Sequence, residues 1–190
     1  MALSIQEIIN EADLLVANGL STNDKVPWLN AINQEFFDVV KIPQIAQFTP
    51  TIGTKTYTLL TTIKEKNIDK VMIGHLKYRS LNYEDVQPKQ NWFTYTESNR
   101  TLTLSTAPSK AGDSGIVRYY RSATTTFTTG NLGAVPDAPD EYHWIYVLGL
   151  AEYIAKAIEE DAKAANYGGQ YRNALQVAAQ NYKGGVQNAT

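Results

Sequence analysis

The chain has 190 residues, a formal net charge of −2, 19% charged residues and no cysteine. That length suits one domain, or one domain with a sizeable insertion, with a core large enough to need no disulfide or metal. The charge balance argues against a dedicated nucleic-acid binder, which shows a basic face, and the missing cysteines exclude disulfides, thiolate nucleophiles and Cys-type zinc sites. The 12 Tyr, 3 Trp and 5 Phe suit either interfaces or the two faces of β-strands. The residues from Met1 to Glu7 lack a basic region followed by an apolar one, and no apolar run has the length to span a bilayer. The expectation is a soluble protein made in the cytoplasm.

Taken in chain order, the first predicted helix opens on Ser4 and Glu7, an S-x-x-E capping box. Ile5, Ile8, Ile9, Ala12, Leu15 and Val16 recur at helical spacing, and Gly19 stands where a left-handed cap would end the helix. The polar run Ser21 to Asp24 caps a second helix, with Pro27 in its first turn and Trp28, Ile32, Phe36 and Val39 or Val40 as its buried stripe. Pro43 closes it.

The texture changes near Ile42. From there to about Phe127, Thr, Tyr, Val and Ile dominate and turn residues recur. Strands are predicted at Ile45–Phe48, Thr56–Leu59, Ile68–Ile73, Leu76–Leu81, Trp92–Thr96, Thr101–Leu104 and Ile116–Tyr120. Gly74-His75 turns one hairpin and Glu97 to Arg100 another. Six or seven short strands at this spacing suggest a small antiparallel sandwich or barrel-like sheet.

Residues 128–136 read as an extended Thr-, Gly- and Pro-rich linker. Helix returns after Asp140, with Trp144, Leu148, Ala151, Ala155 and Ile158 as its apolar stripe. Glu152→Lys156 and Glu159→Lys163 are i,i+4 pairs assigned to its exposed side. A last helix carries Ala164, Tyr167, Tyr171, Leu175, Ala178 and Tyr182. Its Gly168-Gly169 pair marks a hinge, a helix boundary or a site of close packing. Residues 183–190 are a polar tail. The resulting fold class is α+β: an antiparallel α-helical bundle from 1–42 and 137–190, with a small antiparallel β domain, 43–127, inserted between its halves.

A search for chemistry finds no catalytic set, no metal site and no cofactor motif. His75 and His143 fall in different predicted elements. Gly112-Asp113-Ser114-Gly115 looks like a nucleophile elbow but sits in a turn between strands. Glu84-Asp85 and Glu159-Glu160-Asp161 are adjacent acids that do not converge, although Asp161 is placed to cap the last helix. The aromatic row Tyr78, Tyr83, Trp92, Phe93 and Tyr95 has two readings, a sheet core or a ligand groove. In the second, Trp92 and Tyr95 would line a site for carbohydrate or peptide.

Several passages together resemble the head–tail connector (adaptor) proteins of tailed bacteriophages. Thr56-Tyr57-Thr58-Leu59, with Ile63 and Ile68 to Val71, is similar to the passage that opens that family's β insertion. Tyr78 to Asp85, Asn99 to Pro108 and Gly115 to Tyr120 resemble the strands that follow. Glu141 to Asp161, with Ala165 and Tyr167 beyond it, resembles the helix after the insertion. Leu59-Leu60 departs from a common Leu-Pro.

The resemblance implies a structural virion protein, not an enzyme, located at the head–tail interface. It implies a ring of about twelve copies that binds the portal protein and joins tail, stopper or nozzle proteins. The genome would pass through its channel without specific binding, and no membrane is involved. The implied portal-binding tail contains Tyr182, Lys183, Val186, Gln187 and Asn188. Lateral contacts between copies would use the helical faces, with Trp28, Tyr167 and Tyr171 as candidates. The alternative from the residues is a phage or bacterial binding module that uses its β insertion.

Overall fold

Side chains cap the starts of the first two helices, and a side chain, not glycine, organises the end of the first. The computed structural model describes residues 2–60, 63–81, 91–110 and 112–184. They fall into two units, Met1–Ile42 with Ala123–Thr190, and Pro43–Ser122.

In the helical unit, α1 spans Ile5–Leu15. The Ser4 N–H donates to the Glu7 carboxylate at 2.7 Å and the Glu7 N–H donates to Ser4 Oγ at 3.3 Å, which closes the expected capping box. These bonds from the Ser4 N–H and hydroxyl hold the Glu7 carboxyl below the usual range. At the other end α1 stops at Leu15, short of Gly19, with Val16 extended. Asn18 organises the exit: its amide donates to Asp13 Oδ1 and to the Val16 carbonyl, and its Oδ1 accepts from the Leu20 N–H.

Helix α2 spans Thr22–Val39. The Ser21 N–H and hydroxyl both donate to the Asp24 carboxylate, at 2.9 and 2.7 Å. Pro27 falls in the second turn, because the helix starts earlier than expected, so its ring leaves one carbonyl of the first turn without an N–H partner. Lys25, 3% exposed, pairs with Asp13 at 2.8 Å and ties α2 to α1.

Helix α3, His143–Ala157, is the centre of this unit. It contacts α1, α2 and α4 (Asp161–Gly184). Residues are buried all around it, including Ile145, Tyr146, Val147, Leu150, Ala151, Ile154 and Ala155. A helix apolar on every side has no single stripe to read, and the expected stripe has the wrong phase at its start: Trp144 is 50% exposed. Gly149 lets neighbours close in, since a Cβ there would lie 3.0 Å from the Tyr171 ring and 3.1 Å from Ile32.

Helix α3 ends in a Schellman turn. The Glu160 N–H donates to the Ala155 carbonyl, and the Glu159 N–H to the Lys156 carbonyl. Glu159 occupies the left-handed position, φ +59°, normally given to glycine. The turn breaks the expected Glu159→Lys163 pair. Lys163 instead lies 3.6 Å from Glu160.

The stretch 123–139 is not a loose connector. Phe127, assigned on composition to the insertion, is buried in the helical core. Asn30 brackets it, accepting from the Phe127 N–H at 2.7 Å and donating to its carbonyl at 3.0 Å. The Ala134 and Leu132 carbonyls accept from the Ile5 and Gln6 N–H groups, orphan donors of the first turn of α1. Asp137 fastens both ends of the strap. Its carboxylate accepts from the N–H and hydroxyl groups of Thr124 and Thr125, all at 2.8 Å, and from Asn33 Nδ2 at 2.9 Å. Asn33, 1% exposed, passes the network inward by accepting from the Tyr146 hydroxyl at 2.7 Å.

Among the described residues the sheet unit holds seven strands: β1 Pro43–Phe48, β2 Thr56–Thr58, β3 Ile68–Ile73, β4 Leu76–Ser80, β5 Trp92–Thr96, β6 Thr101–Leu104 and β7 Gly115–Tyr120. Their order is β1-β7-β3-β4-β5-β6-β2. The two expected hairpins are present, with Val71 opposite Tyr78 in β3–β4 and Tyr95 opposite Leu102 in β5–β6. Arg100, φ +56°, takes the left-handed place in the second turn. The sheet is not wholly antiparallel as expected: β4 and β5 run parallel, Arg79 beside Trp92 and Ser80 beside Phe93. Sequence spacing cannot show that two neighbouring strands pair in the same direction.

The sheet curls until its end strands meet. Phe48 of β1 and Tyr57 of β2 have ring centroids 4.7 Å apart. Gly115, opposite Phe48, leaves room for that ring, because a Cβ there would come within 2.5 Å of it. Val71, Ile73, Tyr78, Phe93, Leu102, Leu104, Val117 and Tyr119 fill the core beneath. At the register shift of β3 between Ile68 and Lys70, Asp69 turns to Arg118 of β7 at 2.9 Å.

Two outcomes are expected. Burial alone would raise the Asp137 carboxyl, but the bonds from Thr125, Asn33 and Thr124 outweigh it and hold the pKa at about 2. The folded value lies below the unfolded one, so this stabilisation is complete above pH ~5 and is lost as pH falls towards ~2. Allowing for solvent screening, it amounts to ~1–2 kcal/mol. Denaturation midpoints measured across that window should show a component that Asp137→Asn lacks. Glu159→Gly should raise stability by up to ~1 kcal/mol in chemical denaturation, since it removes the left-handed penalty and keeps the turn.

Candidate interaction surface

The helical unit presents one face where α2, α3 and α4 bring aromatic and charged side chains together. Trp28 of α2 lies flat against Tyr153 of α3, with ring centroids 5.8 Å apart and planes 14° apart. The Lys156 ammonium sits 5.8 Å from the Tyr153 ring centre. Beside them a cleft of about 170 Å³ is lined by Glu35, Glu152, Tyr153, Lys156, Tyr171 and Arg172.

Glu152 anchors this face. It was assigned to an exposed side, yet it is 6% exposed. Its Oε1 accepts from Lys156 Nζ at 2.7 Å and from Arg172 Nη1 at 3.3 Å, so α3 and α4 share one buried carboxylate. The two cations reach outward and are themselves more than half exposed. The space for the carboxylate comes from Gly168, whose Cβ would lie 2.5 Å from Glu152 Oε1. Of the three readings of Gly168-Gly169, close packing holds at Gly168, and α4 runs through both residues without a break.

The expected contact residues divide. Trp28 and Tyr167 are half-buried, and the Tyr167 hydroxyl donates to the Leu15 carbonyl next to the exposed Leu14. Tyr171 is 2% exposed, so its ring is enclosed within the subunit and does not serve a lateral contact. Its hydroxyl donates to Glu35 at 3.0 Å, and burial followed by the Glu35 charge pushes its pKa up. At the end of α4, Tyr182 lies against Tyr142, with ring centroids 6.2 Å apart. Asn181 donates to the Tyr142 hydroxyl at 3.1 Å, and Lys183 is exposed. Val186, Gln187 and Asn188 lie outside the described residues.

Of the two readings of the aromatic row, the sheet core holds for Tyr78, Phe93 and Tyr95. Tyr78, Phe93 and Tyr95 are at most 3% exposed and belong to the sheet core, which leaves Trp92 half-buried. Inward and outward positions alternate along β5, so Trp92 and Tyr95 fall on opposite faces and cannot form one platform. Tyr83, Glu84 and Asp85 lie outside the described residues.

The histidines and the acidic run have structural surroundings. His143 is 1% exposed. Its Nδ1 accepts from the Leu3 N–H at 2.9 Å, which leaves Nε2 as the protonated nitrogen, donating to the Ala138 carbonyl at 2.8 Å. His75 lies in the β3–β4 turn. Gly112, φ +91°, turns the chain before β7, and Asp113 faces Gly74 across that turn. Asp161 opens α4 in its first turn, one place inside the cap. Among the described residues, no three His, Asp or Glu side chains converge as a metal ion requires, and no helix is long and apolar enough to cross a membrane.

Among the described residues, then, the architecture is four α-helices around one core with a curled sheet inserted between the second and third. The SU10 adaptor protein family matches residues 3–189, and the chain belongs to that family. It is a family of structural phage adaptor proteins and not of enzymes. Comparison with curated proteins finds no match.

Gly168 and Gly169 give a paired prediction. Alanine favours a helix over glycine by up to ~1 kcal/mol. Gly169 is exposed with nothing near its Cβ position, so Gly169→Ala should stabilise by that order. Gly168→Ala must displace a carboxylate that two cations hold, and should destabilise by ~1–2 kcal/mol despite the better propensity. Urea denaturation of the two variants reads the difference in sign.

Proposed function

We propose that the protein is a head–tail connector adaptor, a virion component that forms a ring of about twelve copies on the portal of a DNA-filled head. In this reading the helical unit is an antiparallel bundle whose lateral faces meet neighbouring copies, with Trp28 and Tyr167 at the contacts. The C-terminal tail, from Tyr182 and Lys183 through Val186, Gln187 and Asn188, inserts into the portal. The opposite side of the ring receives tail, stopper or nozzle proteins. The genome passes through the channel without specific binding, which suits a chain of net charge −2.

The observation that carries the reading is the family match, which runs from residue 3 to residue 189 and so includes both units and nearly all of the tail. Tyr182 supports the tail assignment: its packing on Tyr142 fixes the point from which the last residues depart.

The test is cross-linking mass spectrometry on a mixture with the cognate portal protein, with the full chain and with a chain lacking residues 182–190. The reading expects cross-links from Lys183 into the portal, and loss of both the cross-links and tail attachment on truncation. A full chain that gives no portal contact, and is missing from purified virions, would overturn it.

A further inference from the structure

We propose that the inserted sheet unit, 43–122, opens and recloses as one cooperative body while the helical unit stays folded. Three observations carry this, and none depends on the adaptor reading.

The first is that each unit has its own core. Val71, Phe93, Leu102, Leu104 and Val117 belong to one buried cluster, and Ile8, Phe36, Ile145, Tyr146 and Leu175 to another. At about 80 residues, the sheet unit is large enough to bury a core of its own.

The second is that the sheet unit closes its own ends. Its first and last strands are partners along their whole length, from Pro43 opposite Tyr120 to Phe48 opposite Gly115. The Tyr119 hydroxyl donates to Gln44 at 2.8 Å, and Asn67, 3% exposed, donates to Ser122 at 2.9 Å. These two bonds join the ends of the sheet to each other inside the unit.

The third is that the helical unit closes its ends in the same way. Val40 and Ile42 end the α2 side inside the helical core. On the return side Asp137 grips Thr124 and Thr125, the second and third residues after the crossing. Opening the sheet breaks none of these bonds. Units with separate cores and separately satisfied ends exchange amide hydrogens as separate bodies.

The experiment is hydrogen exchange by mass spectrometry on the full chain, comparing wild type with Leu102→Ala and Ile145→Ala. Both positions are fully buried, one in each core. Leu102→Ala should speed exchange of the slowest amides in β3, β5, β6 and β7 by about tenfold or more, and leave α3 and α4 at wild-type rates. Ile145→Ala should speed α3 and α4 and leave the slowest sheet amides unchanged. If Leu102→Ala unfolds the sheet outright, α3 and α4 amides that stay protected, faster by no more than the roughly hundredfold set by the longer loop between the crossings, still support the proposal. Acceleration of the helical amides by Leu102→Ala with the sheet still folded, loss of helical protection once it unfolds, or acceleration of the sheet amides by Ile145→Ala would overturn it.

Discussion

The helical unit depends on one carboxylate. A chain that leaves a helical unit for some 80 residues must return to the right place, and Asp137 defines that place. It accepts from two consecutive threonines on one side and from Asn33 of α2 on the other. Asn33 in turn holds the Tyr146 hydroxyl of α3. Backbone, strap and two helices thus meet at a half-buried polar knot with each of these groups paired. An apolar contact could bury the same area but would not set the register of the strap, because it has no direction.

From that point the strap supports the rest of the unit. Its carbonyls meet the open N–H groups of α1, and Phe127 enters the core beside α2. Helix α3 then lies enclosed, and its two close approaches, at Gly149 and against Gly168, let α4 settle on it. The charged face follows from this packing. Glu152 is buried because α4 passes over it at a glycine, and Lys156 and Arg172 converge because Glu152 is there. The arrangement fixes two exposed cations next to a stacked Trp28–Tyr153 pair, on a surface that long side chains would otherwise leave mobile.

Much of the fold was legible where a local rule decides it. The Ser4–Glu7 box, the β3–β4 and β5–β6 hairpins and the strand β7 all follow from residues a few places apart. The errors came where a distant partner decides. Gly19 looked like a cap, but Asn18 ends the helix through Asp13, itself committed to Lys25 of α2. The stripe expected on α3 misplaced Trp144, because three helices cover this helix and no single stripe marks its buried side. The row of Tyr78, Phe93 and Tyr95 could not be told from a groove, since core and groove use the same residues and only the second layer separates them. Asp137 and the two threonines carried no signal, being far apart in a stretch whose composition suggests a linker. Of the contact residues, Tyr171 shared the helical spacing of Tyr167, yet Gly149 opens a seat for its ring and takes it into the core.

The pairing of β1 with β7 bears on how the chain finds its fold. The helical unit is discontinuous, and joining α2 to the strap across an unfolded insertion costs loop-closure entropy that grows with the logarithm of the gap. Once the sheet has formed, Pro43 and Tyr120 are neighbours, and the gap shrinks from about 80 residues to a handful. By the logarithmic rule that lowers the cost by ~2–3 kcal/mol. The sheet therefore acts on the helices before they meet: by drawing its own ends together, it holds the two halves of the helical unit within reach and favours an order of assembly in which the insertion folds first.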